Sequence, residues 1–595
     1  MNPFNKRPSP DQILLTAVFV TISLSTIVWT LRDRTPPPWD PSDHMTAAYD
    51  YFQPIAHGDF AGFGKEFFLE HHYYAPLVHL TTGFFYLVFG ASRVSGIAVN
   101  LLSLALLLYS VYWIGGKLYG RPQPDGDPEP AGGLKTRGAI SRYQVSPGAL
   151  AATLATSYHF TGWLLHDAFL DYPLTAIVAA SFALLINAGD FKSRRAAIWF
   201  GIAAGLGLLT KQTFAFFLVL PAVYCTISVL ISRDRRSIFN LVLSGLIAAG
   251  IAAVWYVPHI NDVIEIYKIN QQGAIDENEA PLFSFMSNVF YLHGLVSAQI
   301  QLFFGVLLAF GLVYSIVRLR RQSTMLYLWL ASGISAFTCI ANKDMRYTIP
   351  VLPAAALISV CWASDAKMAS PADGSKLAPR PRFKGLTAVL SFLVLAWAAV
   401  SFFNAQWPRP GGGAYIDTPR FRWMVFARNY FEFDHAPLPD DWSLQDIIET
   451  TATLARQTAS EHIDTQAGLR QIGEALHDQT QHSRDDVPRP ALGVVVNLPY
   501  LNPSSIALYS RLLAPRRAGL PLINVDWLVN DAARPRFTSC DYILVRTGLA
   551  EADWVAPMER YAEQEIRLHP DRFVRVASFP IPMRNAEAVL YKCNH

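Results

Sequence analysis

The sequence predicts a polytopic α-helical membrane protein with a C-terminal soluble α/β domain. Three observations carry this expectation. Of 595 residues, 52% are hydrophobic and only 16% charged, where a soluble protein carries roughly 25% charged residues. About eleven stretches are apolar and near span length, since a bilayer core of about 30 Å needs roughly 20 apolar helical residues. From about residue 404 to 595 no such run occurs, and short β-type runs replace it.

The apolar runs centre on 11–31, 94–114, 147–165, 172–188, 197–210, 213–231, 238–257, 295–317, 325–341, 348–363 and 386–403. The first follows Lys6 and Arg7 and lacks a small-residue cleavage site, so it reads as a retained anchor. Lys and Arg set orientation because they stay on the cytoplasmic side. Alternate connections hold Lys117 to Arg142, Lys192–Arg195, Arg233–Arg236, Arg318–Arg321 and Lys367 to Lys384. The opposite connections hold Arg32, Arg34, Lys65, Lys211, Lys268, Lys343 and Arg346. With the N-terminus counted, the bias is about twenty against about seven, which makes the first side cytoplasmic. The alternation holds if the apolar run 76–90 lies at the outer surface instead of crossing. An odd number of spans then puts everything after 404 outside.

The division expected is 1–403 as the membrane domain, with a long first outer loop at 32–93, and 404–595 as the soluble domain. The second part opens with Trp407-Pro-Arg-Pro-Gly-Gly-Gly413, and a polar helical stretch follows at roughly 442–480. The β-type runs are Gly493–Asn497, Leu520–Val525, Tyr542–Val545, Phe573–Val576 and Ala588–Tyr591, with a helix at Ser504–Leu513 after the first. Strand–helix–strand order points to a small α/β domain, and no glycine-rich nucleotide fingerprint occurs in it. The loop 121–133 is rich in Pro, Gly and Asp and reads as a flexible linker.

Five cysteines without CxxC spacing exclude a zinc ribbon or a disulfide scaffold. Cys225, Cys339 and Cys361 sit in apolar runs as small hydrophobes. Cys540 precedes one β-run and Cys593 follows another, so antiparallel pairing of those strands could bring the two thiols to bonding distance; two separately buried free thiols are the alternative.

Residues able to do chemistry gather in the outer connections. The first loop begins Pro36-Pro-Pro-Trp-Asp40-Pro-Ser-Asp43-His44. A helix from near Ser42 places Asp43, Ala47 and Asp50 on one face. Capping of that helix by Asp40 or Ser42 is an equal alternative to catalysis. Glu70-His71-His72-Tyr73-Tyr74 follows. Adjacent histidines raise the question of a divalent metal, but neighbours on a helix face apart, and an interfacial belt of rings accounts for the same residues. The second outer loop, His166-Asp167-Ala-Phe-Leu-Asp171, puts carboxylates beside two spans, where ionisable groups are functional candidates. Lys211, between two apolar runs, either snorkels to lipid phosphates or holds a substrate phosphate. Asn342-Lys343-Asp344-Met-Arg346-Tyr347 adds two cations, and the arginine fork suits phosphate. Carboxylates and cations on one side are what a phosphate-activated sugar transfer needs: a base for the acceptor, and cations for the departing phosphate.

These residues resemble a known family. Trp39-Asp40-xxx-His44, Tyr74-Ala-Pro-Leu77 and Phe89-Gly90 look like the first luminal loop of GT-C glycosyltransferases. The nearest likeness is to the bacterial branch of the dolichyl-phosphate-mannose protein mannosyltransferase-like family (family 39), which includes aminoarabinose transferases. The resemblance continues through Leu170-Asp171-Tyr-Pro-Leu174, Gly205-Leu-Gly-Leu-Leu-Thr-Lys211 and Arg346-Tyr-Thr-Ile-Pro350, and covers roughly residues 10–360. It implies a polyprenyl-phosphate sugar donor, transfer on the outer face of a bacterial inner membrane, and Asp40 as the base. It implies Asp171 as a second acid, and Lys211 and Arg346 as donor-phosphate contacts. His44, Glu70, Tyr74, Lys343 and Tyr347 join them as candidate substrate-binding residues. Two departures matter. Ala75 stands where relatives carry proline, with no lysine before it, so one phosphate contact is missing. The first-loop acids are two residues apart instead of adjacent, which leaves Asp40 and Asp43 as alternatives for the base.

The resulting expectation is a glycosyltransferase that inverts at the sugar and passes it to a protein, lipid or glycan acceptor. Its soluble domain is periplasmic, its surroundings are membrane lipids, and no nucleic acid is expected as a partner. No cofactor is required by the sequence. A polytopic lipid or sugar transporter or flippase is the alternative. It calls for charges near the bilayer midplane and internal repeats, whereas the ionisable groups here sit at span ends.

Overall fold

The computed structural model describes residues 8–33, 35–120, 145–276, 279–364, 384–406, 414–426, 443–454, 490–498, 501–513, 523–528, 533–547, 555–581 and 586–594. The linker expected at 121–133, the turn at 407–413 and the helical stretch beyond 454 lie outside these residues. Two compact units emerge. The first comprises 1–32, 54–85 and 93–430; the second comprises 33–53, 86–92 and 431–595. The start of the first outer loop therefore groups with the C-terminal part of the chain, and the cut near the end of the spans falls at 430/431.

The helices in chain order begin with α1 (Pro10–Arg32), α2 (Trp39–Ala56), α3 (Phe60–Phe68), α4 (Leu77–Phe89), α5 (Arg93–Gly96) and α6 (Ala98–Tyr119). Then come α7 (Pro147–Ser157), α8 (His159–Leu164), α9 (Asp171–Ala188), α10 (Arg194–Thr210), α11 (Phe214–Ser232) and α12 (Arg235–Tyr256). The series continues with α13 (Ile260–Asp276), α14 (Phe285–Gly294), α15 (Gln301–Arg318), α16 (Arg320–Thr338), α17 (Leu352–Ser359) and α18 (Lys384–Gln406). A π-helical turn, Leu295–Gln299, precedes α15, and a 3-10 stretch, Met345–Val351, precedes α17.

Among the described residues, eight helical stretches are long and apolar enough to cross a membrane. They coincide with eight of the eleven runs read from the sequence. The other three fall short for separate reasons. The run 147–165 breaks at Tyr158, whose extended backbone separates α7 from α8. Helix α10 has 17 residues. Helix α16 opens with Arg320-Arg321-Gln322, which makes it too polar by composition. Helix α4, with 13 residues, is shorter than a crossing requires.

Within the first unit the interior is easily located. Of the span Met345–Ala363, 78% is buried, against 22% of α12 and of α18. Packing there uses small residues, which let backbones approach closely. A side chain on Gly115 of α6 would overlap the backbone of Gly148 in α7, and one on Gly148 would meet the Tyr112 carbonyl. A two-stranded hairpin, β1 (Ala414–Asp417) with β2 (Arg422–Phe426), follows α18 and is pinned by Ser297, whose hydroxyl donates to Arg422 O at 3.0 Å.

The second unit holds a five-stranded sheet of β3 (Ala491–Val494), β4 (Asn524–Trp527), β5 (Tyr542–Arg546), β6 (Phe573–Pro580) and β7 (Glu587–Cys593), in the order β4-β3-β5-β7-β6. β3 runs parallel to β4 and β5; β7 is antiparallel to β5 and β6. Its helices are α19 (444–454), α20 (Pro503–Leu513), α21 (Arg534–Phe537) and α22 (Ala556–Leu568). Side chains alternate across a sheet, and each face has its own core. Leu492, Val494, Leu544 and Leu590 pack with Ile447 and Ile506 of α19 and α20. Ile543, Val545 and Val589 pack with Phe537, Met558 and Ala562 of α21 and α22.

Of the two cysteine alternatives, the structure has the free thiols. β5 and β7 are antiparallel neighbours, yet both thiols are free. The register carries Cys593 opposite Asp541, whose carbonyl accepts the Cys593 N–H at 2.9 Å, one residue out of step with Cys540.

Candidate active site

In the second unit, α2 carries the first-loop carboxylates. Proline rigidity before Trp39 sets its start, and Ser42 Oγ donates to the Pro37 carbonyl. Asp40 lies in the first turn and is half-buried, while His44 is buried. Asp43 is exposed by area yet ringed by protein, as on a concave wall. That crowding pushes its carboxyl up to about 7; Asp40 adds to the rise and Arg511 opposes it. Asp50, on the same face, accepts two bonds from Arg511: Nε to Oδ1 at 2.8 Å and Nη2 to Oδ2 at 3.1 Å.

In the first unit, Lys211 caps the end of α10 and its Nζ reaches Asp171 Oδ1 at 2.7 Å. Asp171 opens α9, and its side chain is 3% exposed. The Lys211 ammonium also lies 5.4 Å from the centre of the Tyr347 ring, a cation–π distance. Arg346 is one residue away from Tyr347 and is held by Asp344, whose Oδ2 accepts from Nε at 2.7 Å and Nη2 at 2.6 Å. Its guanidinium stands 4.7 Å over Phe169. Gln299, in the π-helical turn, fixes this stretch by donating to Met345 O at 2.7 Å and Thr348 Oγ1 at 2.8 Å. π-Turns of this kind recur at functional sites.

Other candidates have local partners. Lys343 is buried and donates to Phe337 O and Thr338 O at 3.0 and 2.9 Å, closing the carboxyl end of α16. Burial holds its ammonium below the usual lysine range, with Glu279 working against the fall. Glu70 pairs with Lys65 at 2.7 Å, which holds its carboxyl below the usual range. Tyr74 packs against Val78, Val99 and Leu170.

Sequence reasoning missed the partners in three groups. Arg93 reaches Asp167 Oδ1 at 3.4 Å and lies 5.4 Å over Trp29, whose ring stacks on His166 at 4.0 Å. Asp262 binds His71 Nδ1 at 2.8 Å and His259 Nδ1 at 2.9 Å, while His72 turns to Glu66 at 3.0 Å. Burial works against the charge of Asp262, but bonds from His259, the His72 N–H and His71 outweigh it and hold its carboxyl low. The adjacent histidines thus face different carboxylates, and among the described residues no His, Cys, Asp and Glu group is arranged to hold a metal ion. The third group is Asn497 and Arg511, more than 450 residues from the Trp39 and Asp50 side chains they hold.

No protein-family model and no curated protein matches the chain. Among solved structures, the crystal structure of ArnT from Cupriavidus metallidurans bound to undecaprenyl phosphate matches 97% of this chain and 97% of its own, at 13% identity and a TM-score of 0.50. The apo structure of the same protein matches over the same shares at 13% identity and a TM-score of 0.49. The fold is that of ArnT. The ArnT likeness embraces both the helical part and the α/β part, where the sequence resemblance covered only residues 10–360.

Proposed function

We propose that this chain is a membrane glycosyltransferase that takes a sugar from a polyprenyl-phosphate donor and passes it to a protein, lipid or glycan acceptor. The observation that carries this reading is the match in fold, over 97% of both chains, to a protein crystallised with undecaprenyl phosphate. Location in a bacterial inner membrane and transfer on its outer face rest on the family resemblance, and a periplasmic place for the chain after 404 rests on the Lys/Arg alternation with the runs 147–165, 197–210 and 325–341 counted as crossings.

Asp40, or Asp43 in its stead, accepts the proton of the acceptor hydroxyl or amine. The acceptor atom bonds to the anomeric carbon as the bond from that carbon to the phosphate oxygen breaks. The electron pair leaves on the phosphate oxygen, and the configuration at carbon inverts. Cations aimed at the departing phosphate lower the barrier because charge develops there in the transition state. Lys211 suits this role: an ammonium has three donors, and Asp171 accounts for one. Arg346 suits it because Asp344 and Phe169 set the plane of its fork. Tyr347 forms a wall beside Lys211. His44 and Tyr74 are read as neighbours of the substrate, while Glu70 and Lys343 support the surrounding turns.

The test is mass spectrometry of lipid-linked sugars in a strain lacking this gene. A polyprenyl-phosphate sugar should accumulate, disappear when the gene is restored, and persist with the Asp40→Asn, Asp43→Asn double variant. An unchanged lipid-sugar profile in the deletion strain would sink the reading.

A further inference from the structure

The topology of the sheet shows what its working edge holds. β3 is followed by α20 and then β4 on one side; the chain returns through α21 to β5 on the other side of β3. In doubly wound sheets, such a reversal opens a crevice at the carboxyl ends of the strands, where ligands bind. The turn at this end of β3 contains Asn497 and leads into α20, whose first turn carries Ser504.

Helix α2 is gripped at this edge. Trp39 Nε1 donates to Asn497 Oδ1 at 2.7 Å. Asp50 takes the two-pronged bond from Arg511, in the last turn of α20. Positions 39 and 50 are eleven residues apart, about three helical turns, which puts them on one stripe of a helix. The two contacts lie at the end of β3 and at the end of α20. Asp40 sits one residue round from this stripe.

We propose that the α/β domain is a positioning element for the first-loop carboxylates, with Arg511 as the positioning residue that holds α2 through Asp50. This deepens the glycosyltransferase reading and rests on it for its catalytic arm. An arginine fork fixes both distance and plane of a carboxylate, which a lysine cannot do. The Trp39–Asn497 bond then sets the roll of the helix. A base displaced by about 1 Å loses roughly 10²-fold in rate, so a grip ten residues from Asp40 matters to the chemistry. The edge that holds a small ligand in other doubly wound sheets here holds a helix of the same chain.

The experiment uses the full-length protein in detergent. Arg511→Met, Arg511→Lys, Asp50→Asn and the exchange Asp50→Arg with Arg511→Asp are compared with the parent. Two readouts are taken: hydrogen exchange of the α2 peptide, and kcat and KM for a polyprenyl-phosphate sugar. The expected result for Arg511→Met is faster exchange in α2, kcat down about tenfold to a hundredfold, and donor KM unchanged. Arg511→Lys should recover part of kcat, and the charge exchange should recover part of both readouts. A general loss of folding would raise exchange throughout the sheet, and Asp50→Asn, which keeps the arginine, guards against that confusion. Unchanged α2 exchange in Arg511→Met would overturn the proposal, and so would faster exchange with kcat intact. If the parent transfers no sugar while α2 exchange responds as expected, the glycosyltransferase reading fails and the grip on α2 stands.

Discussion

Lys211 Nζ lies 2.7 Å from Asp171 Oδ1, with 12% and 3% of the two side chains open to solvent. A buried pair gains little over an apolar replacement, but removing one partner strands the other and costs about 3–5 kcal/mol. Lys211→Met and Asp171→Asn should each lower the thermal midpoint, and Lys211→Met with Asp171→Leu should recover most of it. If Lys211 also serves the donor phosphate, the double variant regains stability without transfer. Recovery of both would leave Lys211 with a packing role alone.

Arg346→Ala should weaken use of the donor more than Arg346→Lys, because the lysine retains charge and loses the fork. Asp344→Asn should have a smaller effect in the same direction, since Asp344 sets the guanidinium plane through Nε and Nη2. Steady-state kinetics against donor concentration measures this. Equal rates in the alanine variant and the parent would remove Arg346 from the phosphate site.

These two pairs mark how far the sequence could be read. Asp171, Lys211, Arg346 and Tyr347 were legible because ionisable residues beside apolar spans stand out. That Lys211 would meet Tyr347, 136 positions away, was not, since helix packing decides it. The sheet strands after 490 were legible as short β-branched runs bounded by turn residues. The hairpin of β1 and β2 was missed because its strands are only four and five residues long and carry charge at Asp417 and Arg422. The grip of Arg511 on Asp50 leaves no local signal: each residue reads as a helix-surface charge until the fold brings them together.

Asp43 yields a pH prediction. Its pKa in the folded chain is raised to about 7 from the ordinary 3.8. Between those values the unfolded chain has lost a proton that the folded chain keeps, so stability falls as pH rises from about 4 to about 7. Asp43→Asn should flatten that decline in thermal scans. If Asp43 is the base, kcat/KM should climb with pH through about 7, and the asparagine variant should lose about 10²–10⁴ in rate. If Asp40 is the base, Asp40→Asn takes that loss, and Asp43→Asn keeps turnover with a changed pH profile. Near-normal turnover in both variants would end the assignment of a base to α2.

Orientation is tested by labelling. Arg560 and Lys192 are both exposed. In a background with the native cysteines replaced, Arg560→Cys should react with a membrane-impermeant maleimide in intact cells, and Lys192→Cys only after the membrane is opened. The reverse pattern would turn the protein over and take the proposed outer-face chemistry with it.

Cys540 and Cys593 provide the last prediction. Both are buried in the layer of Phe537 and Phe573 beneath the sheet. Burial pushes the two thiols up to about 11 and about 12, and Asp526 and Asp541 add to the rise at Cys540. The thiolate is the reactive form, so a raised pKa in a covered place makes for slow chemistry. Cys540 Sγ also donates weakly to Arg536 O at 3.5 Å. In the native protein, neither thiol should take up iodoacetamide over a period that fully labels an exposed engineered cysteine. After denaturation without reductant, peptide mapping should find both alkylated. A mapped disulfide between them would mean that the register at the end of β7 shifts by a residue when the protein matures in an oxidising compartment, and the pairing of β5 with β7 described here would then have to be redrawn.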